Sequence, residues 1–193
     1  MFVPLILVLA VFCARLLTLA GDLSVVASLS PIISLTLCGA AFFKHRWEMA
    51  LPLVAFVVSD ILINFAHGVP PLGVHTFVAL AVYGGIAVMG IGLRGGARGQ
   101  LPMLGATLAG VLAFYLVTNT LSFFMSPGYP SSIEGWIQCL TVGLPGYPPT
   151  WSFLLKSLVS NLVFTGIFCL VFHTRESKST APALVRGEST ALS

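Results

Sequence analysis

The sequence predicts an all-α polytopic membrane protein of six transmembrane helices, with both termini in the cytoplasm. Three observations predict it. Of 193 residues, 57% are hydrophobic and 8% charged, against about 25% charged in soluble domains. Mean hydropathy is +1.00, and six apolar stretches approach the roughly 20 residues that cross a hydrocarbon core of about 30 Å. The loop cations also segregate. Lys44, Arg46, Arg94, Arg98, Arg175, Lys178 and Arg186 all follow even-numbered stretches, while the other loops carry only acids such as Asp22 and Glu134. The positive-inside rule then sets the orientation.

The first stretch, 2–20, carries Arg15 within its apolar run. Thr18-Leu19-Ala20 has the character of a signal-peptidase site, but without a basic n-region a retained span is expected. The second, 25–43, is interrupted by Pro31, and the third, 49–66, carries Asp60. The fourth and fifth, 72–93 and 101–125, are apolar and close to minimal spanning length or longer. The connection from Ser126 to Thr150 is rich in Pro, Gly and aromatics. Within it, Ile133, Trp136, Ile137 and Leu140 fall on one helical face, which predicts a short interfacial or re-entrant helix. The sixth stretch, 151–173, completes a membrane domain of residues 1–173, and residues 174–193 are expected to form a disordered cytoplasmic tail.

Several function classes receive no support. The basic residues are scattered singly, so the net charge of +3 is not a nucleic-acid signal. Cys13, Cys38, Cys139 and Cys169 make no C-x-x-C pair, and a disulfide framework is not expected. Nucleophile-elbow, zincin and P-loop motifs are absent, so no enzyme, cofactor or resident metal is expected, and active transport would draw on a partner or a gradient. His67 and His75 lack metal-ligand spacing and a third ligand, and read as loop histidines.

The polar residues inside the spans carry the functional signal. An ionised carboxylate at mid-bilayer costs about 2.5–3.5 kcal/mol on insertion scales, so Asp60 requires a partner, a cavity or a proton. At 1.5 Å rise per residue, Arg15, Asp60, Asn64, His67, Asn119 and Asn161 all fall in the outer half of their spans. Asp60, Asn64 and His67 form one helical stripe, and Thr118/Ser122 and Ser157/Asn161 are i,i+4 pairs. These residues predict an outward-facing polar pocket, with the 126–150 loop as its lid. Arg15 and Asp60 are candidates for an internal ion pair; alternatively Asp60 faces a ligand cation, a proton or a substrate donor. Lys156 is expected to snorkel to the interface. Tyr129, Trp136, Tyr147 and Trp151 form an aromatic belt or line the ligand.

Several short stretches carry a family resemblance. Ala14-Arg15-Leu16-Leu17, Leu29-Ser30-Pro31-Ile32, Cys38-Gly39-Ala40-Ala41-Phe42-Phe43, Pro52-Leu53, Ser59-Asp60, Thr118-Asn119, Tyr129-Pro130, Gly135 and Pro145 occur in order over most of residues 10–172. Together they resemble a bacterial family of uncharacterised integral-membrane proteins treated as transport proteins. That family is similar to the substrate-binding S components of energy-coupling-factor transporters. The resemblance implies a six-span inner-membrane subunit that captures a small polar nutrient or vitamin and works with a coupling transmembrane subunit and an ATPase module. Ala10 and Ala14 have the A-x-x-x-A spacing through which such proteins dock their coupling subunit. Asn161 departs from the pattern, standing where that family tends to carry an acid.

The candidate substrate-binding residues are therefore Arg15, Asp60, Asn64, His67, Asn119, Asn161 and Trp136. Two other readings remain open at this point. In one, the chain is a structural or assembly subunit whose polar residues are interhelical glue; in the other, a proton-coupled carrier titrates Asp60.

Overall fold

A computed structural model describes residues 8–9, 12–13, 15–16, 31–43, 45–94 and 99–188, with backbone alone at 46 and 172–188. Among these residues the fold is all-helical: α1 (Ile32–Phe42), α2 (Arg46–Ala66), α3 (Val74–Gly92), α4 (Gln100–Met125), α5 (Ile133–Leu140) and α6 (Thr150–Glu188). Four segments are long and apolar enough to cross a bilayer: Trp47–Ala66, Val74–Gly92, Gln100–Met125 and Thr150–Val171. These match the third to sixth predicted spans and support a membrane-embedded chain.

The first two predicted spans stand differently. The described residues of stretch 2–20 are helical, but Ala10 and Ala14, the expected docking pair, lie outside the described residues. The second span is seen only as α1, whose 11 residues rise about 16 Å. Pro31 occupies its N-cap, since a proline ring cannot accept the place of a helix-interior donor.

α1 is the centre of the bundle. Ile-Ile-Ser-Leu-Thr-Leu-Cys-Gly-Ala-Ala-Phe is apolar or small all round, the pattern of a fully buried helix, and ten of its residues are buried. It packs against α2, α3, α4 and α6. α3 crosses it at Gly90, where an added Cβ would lie 2.4 Å from the Leu37 carbonyl oxygen and 2.8 Å from the Ala40 Cβ. Only glycine permits that approach, as in other small-residue membrane packings.

Both ends of α1 are held by side chains from other segments. At its start, Asn161 of α6 accepts hydrogen bonds from the Ser34 backbone N–H and hydroxyl, each 2.9 Å. Helix N-termini leave such N–H groups without intrahelical acceptors, and Asn161 supplies one. At its finish, Arg94 donates to the carbonyls of Ala40 (2.7 Å) and Phe43 (2.8 Å). A guanidinium there also complements the negative end of the helix dipole.

The outer helices face away from this centre. On α2, Val54, Val58, Leu62 and Phe65 are exposed at helical spacing, while Phe56 and Ser59 on the other side are buried. Apolar exposed stripes of this kind suit contact with lipid. α5 forms where the sequence predicts a short helix: Ser132 caps it by accepting from the Gly135 N–H at 3.2 Å. The α6 backbone is helical to Glu188. Once formed, a helix gains one hydrogen bond for each further residue it fixes.

Candidate functional site

At the end of the bundle that carries α5, one network joins a first-stretch residue to α2 and α3. Arg15 donates from Nε to Ser59 Oγ (2.7 Å) and from Nη2 to Asp60 Oδ1 (3.4 Å). Its guanidinium also lies over the Phe56 ring, 4.8 Å from the centroid. Ser59, fully buried, donates its hydroxyl in turn to the Phe56 carbonyl at 2.8 Å. The second oxygen of Asp60 accepts from Thr76 of α3 at 2.6 Å and from Asn64 one turn on at 3.5 Å. The carboxylate thus has a cation on one oxygen and neutral donors on the other, which answers its cost in an apolar setting. The Arg15 and Asp60 side chains are 19% and 20% exposed.

Two cavities flank this pair. The first, of about 400 Å³, is lined by Arg15 and by residues of α1, α3, α4 and α6, including Asn119, Phe153 and Ser157. The second, of about 440 Å³, reaches the α2–α3 connection and is lined by Asp60, Asn64, His75 and Thr76 among others. Arg15, Tyr83, Phe114 and Thr118 line both. Each cavity is of the size that binds small molecules, with mostly apolar walls and few polar groups.

Tyr83 is the central side chain of the shared wall. Its ring stacks on Phe114 (centroids 5.0 Å, 18°) and meets Phe56 edge-on (4.9 Å, 72°). On α4, Thr118 turns its hydroxyl to the Phe114 carbonyl at 2.7 Å, and Asn119 donates from Nδ2 to the Tyr115 carbonyl at 2.8 Å.

α5 closes over the same part of α4. Trp136 Nε1 donates to Thr120 Oγ1 at 3.1 Å, and the Cys139 thiol donates to the Asn119 carbonyl at 3.3 Å. The Tyr115 hydroxyl donates to the Leu140 carbonyl. Two of these three ties end on Tyr115 and Asn119, which also line the first cavity. At the start of α5, Glu134 accepts from its own backbone N–H and from Ser132, which holds its carboxyl below the usual range.

The chain belongs to a family of unknown function, DUF6580.

The match spans residues 1–184. No curated protein and no solved structure matches this DUF6580 chain.

Of the residues singled out in the sequence, the structure gathers Arg15, Asp60, Asn64 and Asn119 around the cavities. It does not bring the other three there. His67 closes the end of α2, exposed, with Nδ1 2.8 Å from the Ile63 carbonyl. Trp136 belongs to a separate groove beside α5, lined also by Phe123 and Tyr129. Asn161 is fully buried and spends its amide on the protein: besides Ser34, it donates to the Ser157 carbonyl (2.8 Å) and Ser157 Oγ (3.3 Å). Among the described residues no group of three His, Cys, Asp or Glu is placed to hold a metal. The four cysteines are free thiols.

Thr76 and Tyr83 are the site residues that sequence reasoning missed. Thr76 has the shortest hydrogen bond to Asp60, yet a threonine in the first turn of a span carries no charge to mark it. Tyr83 reads as one more aromatic in an apolar helix. Only its distance from both span ends, where membrane tyrosines usually gather, sets it apart.

Proposed function

We propose that this DUF6580 chain is the substrate-binding subunit of a membrane transporter. It captures a small polar nutrient from the outer side and resembles the S components of energy-coupling-factor systems. The observation that carries this reading is the pair of cavities on either side of Arg15–Asp60, walled by α1, α2, α3, α4 and α6, with α5 tied to Tyr115 and Asn119 of the first cavity's wall. In the orientation given by the loop charges, that end faces outward. Arg15, Asp60, Asn64 and Asn119 form the polar part of the wall, and α5 with its flanking loops acts as the lid. The reading gives the chain no catalytic step; energy for transport comes from a coupling subunit and ATPase, docked near Ala10 and Ala14.

A panel of vitamins, nucleobases, amino acids, sugars and metal ions, screened by thermal shift and native mass spectrometry on the purified chain, tests capture. At least one member is expected to raise the melting temperature, with the effect lost in Asp60→Ala or Asn119→Ala. No shift across the panel, with wild-type behaviour of both variants, would overturn the reading.

A second reading, a structural or assembly subunit, is favoured by one observation: both Asp60 oxygens are engaged by protein donors. It predicts that Asp60→Asn weakens the chain or its complex and leaves cellular uptake of every panel compound unchanged.

A further inference from the structure

The walls of the two cavities specify more than a polar nutrient. Aromatic rings stand in both walls: the stacked Tyr83–Phe114 pair lines both cavities, with Phe56 edge-on to it and Phe153 in the first cavity. Stacked aromatic walls favour a flat ring over a flexible aliphatic chain, because offset stacking adds to area burial and a rigid guest loses little rotamer freedom.

Charge narrows the class further. Among the described residues Arg15 is the one charged residue lining the first cavity, and Asp60 already neutralises it at 3.4 Å. An anionic guest would have to draw Arg15 away and leave Asp60 with neutral donors alone. A cationic guest would compete with Arg15 for Asp60. Separating a desolvated pair strands one charge, so an uncharged guest is the least costly occupant.

Two polar groups on these walls have no hydrogen-bond partner among the described residues. The Asn119 amide is oriented by its bond to the Tyr115 carbonyl, to which only the NH₂ group can donate. Its Oδ1 therefore points elsewhere, and among the described residues it accepts no hydrogen bond. The Tyr83 hydroxyl is likewise without a hydrogen-bond partner among the described residues, although the residue is only 2% exposed and lines both cavities. Buried hydroxyls are normally satisfied, so the Tyr83 hydroxyl calls for a guest that fills it; Asn119 is half-buried, and its Oδ1 offers an acceptor on the wall of the first cavity. Oδ1 can only accept; the hydroxyl can do either.

We therefore propose that the paired cavities take an uncharged, flat ring compound of one or two rings bearing an N–H or O–H donor on its edge. The donor is read by Asn119 Oδ1, the ring face by Tyr83 and Phe114, and a second polar edge by the Tyr83 hydroxyl. This inference rests on the capture reading above and names the chemical class that reading leaves open.

Matched probes test it on the full chain in nanodiscs, by calorimetry or native mass spectrometry against empty nanodiscs. Indole and uracil are neutral donors of two rings and one. Their N-methyl derivatives, 1-methylindole and 1,3-dimethyluracil, keep the ring and lose the donor. Indole-3-acetate and tryptamine add a charge of either sign, and glucose and leucine stand for non-aromatic guests. At least one neutral donor ring is expected to bind about tenfold more tightly than its N-methyl and charged counterparts, the scale of a well-made hydrogen bond in a dry site. Asn119→Ala is expected to abolish the preference for the donor over its N-methyl form. Tyr83→Phe retains the stacked rings and is expected to weaken the donor ring several-fold. It should leave the ligand-free melting temperature unchanged or raised, because it deletes a buried hydroxyl that bonds to no described residue.

Preferential binding of indole-3-acetate, tryptamine, glucose or leucine would overturn the ring class and leave capture standing. No binding by any probe to a cooperatively melting protein would overturn the ring class, and capture would fall with it if the wider panel were also silent. Unchanged affinities in both variants would overturn the assignment of the site. A lower melting temperature for ligand-free Tyr83→Phe would mean that the protein itself uses the hydroxyl, and would remove the argument from that vacancy.

Discussion

Truncating Asn161 to alanine separates a structural tie from a ligand contact. The change deletes an acceptor that serves the Ser34 backbone N–H and hydroxyl, and a donor that serves Ser157. The losses are unequal. The Ser157 carbonyl is a helix carbonyl one turn back, and the Ser34 hydroxyl can turn to the Pro31 carbonyl at 3.1 Å. The Ser34 N–H, in the first turn of a fully buried segment, has no such alternative among the described residues. A stranded buried donor costs about 1–3 kcal/mol, and interhelical side-chain bonds in bilayers average about 0.6 kcal/mol each. Asn161→Ala is thus expected to destabilise the bundle by about 2–4 kcal/mol. Asn161→Asp keeps an acceptor at the positive end of α1 and should recover part of the loss. Reversible unfolding in mixed micelles by SDS titration, or steric trapping in bicelles, measures the difference. An alanine variant within about 0.5 kcal/mol of wild type that has lost ligand binding would refute the reasoning and return Asn161 to the site.

Three further outcomes are expected. Gly90→Ala pushes a methyl group against the Leu37 carbonyl and Ala40, and overpacking of this kind costs about 1–3 kcal/mol; Gly84→Ala, with nothing within 4 Å, is the control that should melt like wild type. Trp136→Phe removes the Thr120 tie of α5 and should speed maleimide labelling of the buried Cys139 by about fivefold, the worth of one hydrogen bond to local opening; an unchanged rate would show that the tie does not hold the lid. Glu134 has a depressed folded-state pKa, so its contribution to α5 is present above the ordinary carboxylate value of about 4.3 and is lost as pH falls through the lower folded value. Amide exchange in α5, corrected for intrinsic pH dependence, should show protection falling over that window in wild type and flat in Glu134→Gln.

What the sequence made legible follows from where charge and periodicity speak. The ends of α2, α3 and α4 lie within a few residues of their expected positions because loop cations and Gly or Pro residues bracket each apolar run. α5 was visible through Ile133, Trp136, Ile137 and Leu140, an amphipathic face in a polar loop. The Arg15–Asp60 contact was visible because a desolvated carboxylate must find a partner and few cations lay at its depth. The rotation of each helix was not visible. In a lipid-exposed bundle both faces are apolar, so periodicity cannot tell which one meets a neighbour. That is why neither Thr76 nor Tyr83 stands out in the sequence, and why the contact of Asn161 with the start of α1 does not. Arg94 was read only as a topology signal, since nothing local shows that it reaches the carbonyls of α1.

The role of Asp60 follows from the same accounting. A carboxylate poised to bind a guest cation or to carry a proton would keep an oxygen free of protein donors. Here one oxygen meets Arg15 and the other meets Thr76 at 2.6 Å and Asn64. Those partners lie on three segments, so Asp60 ties Arg15 of the first stretch to α2 and α3. Arg15 is held in turn, by Ser59 and Phe56 as well as by Asp60, with its guanidinium in the wall between the cavities. A wall fixed before the guest arrives spares the binding step the cost of ordering it. The vacancies on Asn119 and Tyr83 then stand on a rigid frame, which is where a hydrogen bond discriminates best. Asp60 therefore holds the frame of the cavities, and in the proposed reading Asn119 and Tyr83 are the residues that read what enters them.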